Sequence, residues 1–103
     1  MSWQVILHPA VDEDLAEASS WYENQQAGLG IQFTSAAVAV FKSLTENPYL
    51  NARRGRYRQV RWRLAKPFSY RVVYELREKE QIVKVIAVLH SARHDRSWRQ
   101  RLG

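Results

Sequence analysis

The hydropathy period of this chain changes once, and that change limits what it can fold into. From Val11 to Leu44 apolar residues return at helical spacing. Val11, Leu15, Ala18 and Tyr22 make one stripe. Leu29, Phe33, Ala36 or Ala37, Val40 or Phe41, and Leu44 make a second. Gly28 and Gly30 bracket the break between them, and Asn47-Pro48 ends the second. Pro9 suits a first helical turn, and Asp12, Glu13, Asp14 and Glu17 sit where carboxylates favour the helix dipole. Helices joined this closely form an antiparallel hairpin. Ahead of them Trp3 to Leu7 reads as a short strand.

From Tyr57 onward the period is two. Val60-Arg61-Trp62-Arg63-Leu64 alternates apolar and basic side chains, as a strand with one buried face does. Ala65-Lys66-Pro67 makes a turn. In the next strand Phe68, Tyr70, Val72, Tyr74 and Leu76 share one face, with Ser69, Arg71, Val73 and Glu75 on the other. Glu78-Lys79-Glu80 is a hairpin tip. Ile82 to Leu89 is apolar on both faces and free of proline, which fits a covered or central strand. Asp95 to Leu102 reads as a short basic helical tail anchored by Trp98. The expected fold is α+β in the order β-α-α-β-β-β, a single domain over residues 1–103. Its helical hairpin packs on one face of a mostly antiparallel sheet, and the middle of the other face is free.

Charge follows the same division. The first fifty residues hold one Lys against six acids, about −5, and the remainder holds fifteen basic residues against four acids, about +11. The sum is the net +6, and twelve of the sixteen basic residues are Arg, whose planar fork suits phosphate and carboxylate. Without cysteine there is neither disulfide nor thiolate metal site, and a reducing cytoplasm is the expected home. The N-terminus lacks a signal-peptide pattern, and no apolar run, Val85 to Leu89 included, is long enough for a membrane. His8, His90 and His94 are not spaced as metal ligands, and no Gly-rich phosphate loop is present, so no metal or cofactor is expected.

Alternation predicts where the basic residues stand. With Val60, Trp62 and Leu64 toward the helices, Arg61 and Arg63 point to the open face, and Arg71 joins them there. With Val83, Val85, Ala87 and Leu89 in the core, Lys84 and His90 fall on the same side, and Arg93 lies just past the strand end. Arg61, Arg63, Arg71, His90 and Arg93 would then surround one basic concavity suited to phosphate, with His90 as acid or base. Each residue also has a structural reading. Arg61 and Arg63 can be edge-strand charges that discourage aggregation. The Arg53 to Arg58 segment reads as a solvated loop, and His90 as a hydrogen-bonded strand end. Arg71 needs a partner, for which Glu75 and Glu78 are candidates. Trp3, Trp21, Trp62 and Trp98 read as core or edge-covering aromatics, ahead of a base-stacking platform.

The element order, Gly28-Leu29-Gly30, the Asn47-Pro48 stop, the strand Pro67-Phe68-Ser69-Tyr70-Arg71-Val72-Val73-Tyr74-Glu75 and the run Val88-Leu89-His90-Ser91-Ala92-Arg93 followed by Trp98 resemble the RelE/ParE superfamily of type II toxin–antitoxin toxins. The resemblance covers nearly the whole chain. It implies a small bacterial toxin of the plasmid-stabilisation kind, held inactive by an acidic antitoxin, as a homodimer or a toxin–antitoxin hetero-oligomer. The RelE-like branch cleaves messenger RNA in the ribosome with basic residues on the sheet. On that pattern Arg71 and Arg93 match its arginines, Arg61 and Arg63 fall where Lys or Arg is common, and His90 would substitute as the acid or base. Trp98 stands at the position of a C-terminal Tyr, and its indole does not serve as a catalytic proton donor. The Pro-Phe-x-Tyr-Arg strand and the His-x-x-Arg end look more like the ParE-like branch, which poisons DNA gyrase. For either target, or for the antitoxin, the resemblance and the charge pattern nominate Arg61, Arg63, Arg71, Arg93 and Trp98 as contacts. A third reading is a non-toxic basic module that only binds an anionic partner.

Overall fold

The helical spacing of the first half is realised as two helices and the alternation of the second as a sheet, in a computed structural model that describes residues 2–50, 52–54, 59–93 and 96–102. The elements are β1 (Gln4–Leu7), α1 (Val11–Gln25), α2 (Leu29–Glu46), β2 (Arg53–Arg54), β3 (Val60–Leu64), β4 (Tyr70–Arg77), β5 (Ile82–His90) and α3 (Arg96–Arg99). The strands form one sheet in the order β1-β5-β4-β3-β2, with β1 parallel to β5 and the other pairs antiparallel. This is the expected α+β arrangement, with β2 as an addition. Arg53 and Arg54 pair with Trp62 and Arg61, so the start of the expected loop is a two-residue ladder. Residues 55–58, which complete that loop, lie outside the described residues.

Local chemistry accounts for the hairpin. Leu29 follows Gly28, whose φ of 89° suits glycine, and the Glu23 carboxylate accepts the Gly28 and Gly30 N–H groups at 3.0 Å. A carboxylate there also complements the positive end of α2. A Cβ on Gly30 would lie 2.7 Å from the Ser19 carbonyl oxygen, so the two helices approach too closely for any larger residue. The predicted stripes face the sheet, with Val11, Ala18, Phe33, Ala37, Val40 and Leu44 buried. They pack on Val72, Tyr74, Leu76, Val83, Val85 and Val88. Tyr22, Phe33, Phe68 and Tyr70 close one end as edge and stacked ring pairs.

The opposite face is not free at its middle. Val60, Val73, Ile86, Ala87 and Leu89 form a second apolar cluster there, capped by Trp98 of the tail, with Trp62 and Leu102 packed on it. Trp98 is 2% exposed, which bears out its anchoring role and leaves it little surface to offer a partner.

That second cluster reverses the expected parity of β3. Val60 and Trp62 face the tail, and Arg61 and Arg63 face the helix side, opposite Tyr74 and Val72. In β5 the expected parity holds through Val85 and then fails. Tyr74 pairs with Val85 and Val73 with Ala87, so Ile86 is the extra residue of a bulge. Beyond it Val88 and His90 lie on the helix side, and Ala87 and Leu89 belong to the second cluster.

Candidate functional site at the end of β5

The expected basic concavity therefore separates into three places. The first is the helix side of β3. Arg63 donates to Ser43 Oγ, to the Asn47 carbonyl oxygen at 3.0 Å and to the Leu50 carbonyl oxygen. These groups lie at and just beyond the end of α2, whose last turn contains no cation of its own. A guanidinium there satisfies orphan carbonyls and faces the negative end of the helix dipole. Arg61 stands over the Tyr49 ring at 5.1 Å. Between these arginines the Tyr74 hydroxyl donates to the Pro48 carbonyl at 2.6 Å, and burial raises its pKa against the opposing pull of Arg63 and Arg61.

The second place is the tail side, where Arg71 is 8% exposed. Its guanidinium lies 5.3 Å from the centre of the Trp62 ring and donates to the Arg93 carbonyl oxygen at 3.0 Å. Arg71 is on the opposite face from Arg61 and Arg63, so these three do not converge on one ligand. Glu75, one of its expected partners, lies 3.9 Å from Arg77.

The third place is a cleft of about 410 Å³ between α1, the end of β5 and the tail. His90 and Arg93 line it, facing Glu13, Glu17 and Trp21 of α1, with Tyr70 between the walls. His90 accepts the Ala92 N–H on Nδ1 at 3.1 Å, which assigns the ring proton to Nε2. Its ring meets Tyr70 edge-on at 5.4 Å. The Tyr70 phenol is pushed up first by burial, with Arg93 opposing and Glu17 adding to the shift, so it stays a donor at neutral pH. Trp21 is 56% exposed. Among the described residues Glu13, Glu17 and Arg93 form no ion pair.

An ionic clip bounds this cleft. Arg101 holds Asp14 through two contacts, at 2.7 and 3.2 Å, and donates to the Ile86 carbonyl oxygen at 3.1 Å. Asp14 in turn accepts the Val88 N–H at 3.0 Å. The bulge and the end of β1 leave these two backbone groups without a strand partner, and the clip supplies one for each.

Of the predicted site residues, His90 and Arg93 share this cleft, Arg61 and Arg63 share the helix side of β3, and Arg71 meets Arg93 through the latter's carbonyl alone. Sequence reasoning missed the wall opposite His90 and Arg93. Glu13, Glu17 and Trp21 recur every fourth residue and so form one line along α1. A tryptophan in register with two carboxylates, off the buried stripe, was the available signal.

The fold matches solved toxin–antitoxin structures. A chromosomal ParDE system from P. aeruginosa superposes with a TM-score of 0.73 at 11% identity, covering 85% of this chain and 95% of that one. A RelBE2 toxin–antitoxin complex from Mycobacterium tuberculosis gives 0.66 at 16% identity, covering 87% and 99%. These likenesses define the class of fold, a RelE/ParE-like α+β domain. Residues 5–95 match the family model of the ParE toxin of the type II toxin–antitoxin system parDE, and the chain belongs to that family. No curated protein sequence matches it.

Proposed function

We propose that this chain is the growth-inhibiting toxin of a bacterial type II module of the plasmid-stabilisation kind, acting in the cytoplasm by interfering with DNA gyrase. An acidic antitoxin neutralises it, drawn by a chain whose net charge is +6. The observation that favours gyrase over RNA cleavage is the dispersal of the arginines. A ribonuclease site on the sheet needs cations converging on one phosphate. Here Arg61 and Arg63 lie on one face and Arg71 on the other, with Arg63 and Arg71 donating to backbone carbonyls. Trp98, at the position of a catalytic Tyr, is buried.

Inducing the gene alone and together with its neighbouring reading frame tests the reading. Arrested growth with altered plasmid supercoiling, relieved by co-expression, is the expected result. New cleavage sites in primer-extension maps, with supercoiling unchanged, would favour the RelE-like ribonuclease instead. That alternative retains one supporting observation: His90, Arg93 and Tyr70 line a single cleft.

A further inference from the structure

The cleft at the end of β5 has a feature that neither branch of the family reading uses. Four consecutive residues of one strand, Ala87 to His90, line it. Neighbouring side chains in a strand point to opposite faces, so what the four share with the cleft is their backbone edge. β1 flanks that edge only as far as Leu7, and its last contact is the His8 N–H to the Val85 carbonyl oxygen at 2.8 Å. The clip of Asp14 and Arg101 covers the next stretch at Ile86 and Val88. Val88 turns its N–H away from β4, as its bond to Asp14 shows. By strand alternation its carbonyl and the His90 N–H lie on the same outward edge. No described strand lies beside them.

We propose that this cleft receives an extended peptide segment of a partner protein, added as a short strand to β5 beyond the end of β1. The segment presents a Lys or Arg to Glu13 and Glu17 and an Asp or Glu to Arg93. The strand edge supplies main-chain hydrogen bonds, and the charged walls supply selection. Glu13, Glu17 and Arg93 have no ion-pair partners among the described residues, so pairing them breaks no contact within the fold. Trp21, 56% exposed at the rim, offers an apolar surface to one side chain of the segment. A nucleic-acid strand suits the same space less well, because Glu13 and Glu17 repel phosphate along one whole wall. The proposal concerns a partner segment and stands whether the cellular target is gyrase or ribosome-bound RNA.

A library of random twelve-residue peptides displayed on phage, selected against the intact chain, supplies the probe. Enriched peptides are expected to pair a basic with an acidic residue. As synthetic peptides they should bind at least tenfold more weakly to Glu17→Lys and to Arg93→Glu, and unchanged to Lys42→Ala, a substitution on the far side of the hairpin. A peptide with its basic residue replaced by an acidic one should regain affinity for Glu17→Lys, and binding should slow hydrogen exchange at the His90 amide. Absence of enrichment would overturn the proposal, as would peptides indifferent to both charge reversals. Binding of a short single-stranded oligonucleotide that Arg93→Glu abolishes, with no peptide selected, would assign the cleft to nucleic acid and overturn it as well.

Discussion

Arg61 and Arg63 on β3 read in the sequence much like His90 and Arg93 at the end of β5: basic side chains at or just beyond a strand. Folding treats the two pairs differently. Arg63 is tied to three groups at the end of α2, and Arg61 lies on Tyr49. Arg93 contributes only backbone groups to the described fold, its carbonyl to Arg71 and its N–H to His90. A charge already bound to its own chain stabilises the fold and has little left for a partner. A charge with no internal contact is available. Net charge alone cannot separate the two, because it counts both equally.

Substitutions can break this contrast, and the largest effect should come from the cluster that turns β3 over. Trp98→Ala empties the cap of the second apolar cluster and should cost about 3–5 kcal/mol, read by urea or thermal unfolding. Stability within 1 kcal/mol or so of the parent would mean that the tail does not hold Val60 and Trp62 on that face. Asp14→Ala comes next, at about 2–3 kcal/mol, because it leaves the Val88 N–H and the Arg101 guanidinium without their shared partner. The contrast itself is tested by Arg63→Ala beside Arg93→Ala. Loss of the contacts at the end of α2 should cost about 2 kcal/mol. Removal of the Arg93 side chain should leave stability within about 0.5 kcal/mol. Equal losses would erase the distinction between engaged and available charge.

Most of the architecture was legible because it rests on periodicity. The two stripes, the glycine break, the Asn47-Pro48 stop and, β2 apart, the order of elements along the chain each follow from local spacing, and each appears where it was expected. The site was less legible because its geometry depends on parity, which local spacing does not determine. Val60-Arg61-Trp62-Arg63-Leu64 declares that its faces differ and leaves open which one meets the helices. That choice belongs to distant groups, the carbonyls after α2 and the Trp98 ring. In β5 one extra residue at Ile86 moves His90 across the sheet, and no residue in that apolar run marks the bulge. Trp98 is the anchor its spacing suggests, and at 2% exposed it has little surface left for the contact role that the resemblance also assigns to it.

The smallest expected effect concerns the other histidine that caps a turn. His8 accepts the Ala10 N–H on Nδ1 at 3.0 Å, as His90 does with Ala92, but it stands at the end of β1 beside the clip. Its pKa is lowered, first by burial and then by the positive charges of Arg101 and Lys84, against an opposing contribution from Asp14. A lowered folded-state pKa means that the unfolded chain takes up the proton first as pH falls. The stabilisation is therefore complete above the ordinary value of 6.5, and it is lost as pH drops from there through the lowered folded value. His8→Asn keeps an acceptor for the Ala10 N–H and does not titrate. Melting temperatures of the parent should fall more steeply than those of this variant between pH 7.5 and about 5.5. Parallel curves would show that the charges around the clip do not reach His8. The clip would then act only through the hydrogen bonds it makes to the edge of β5.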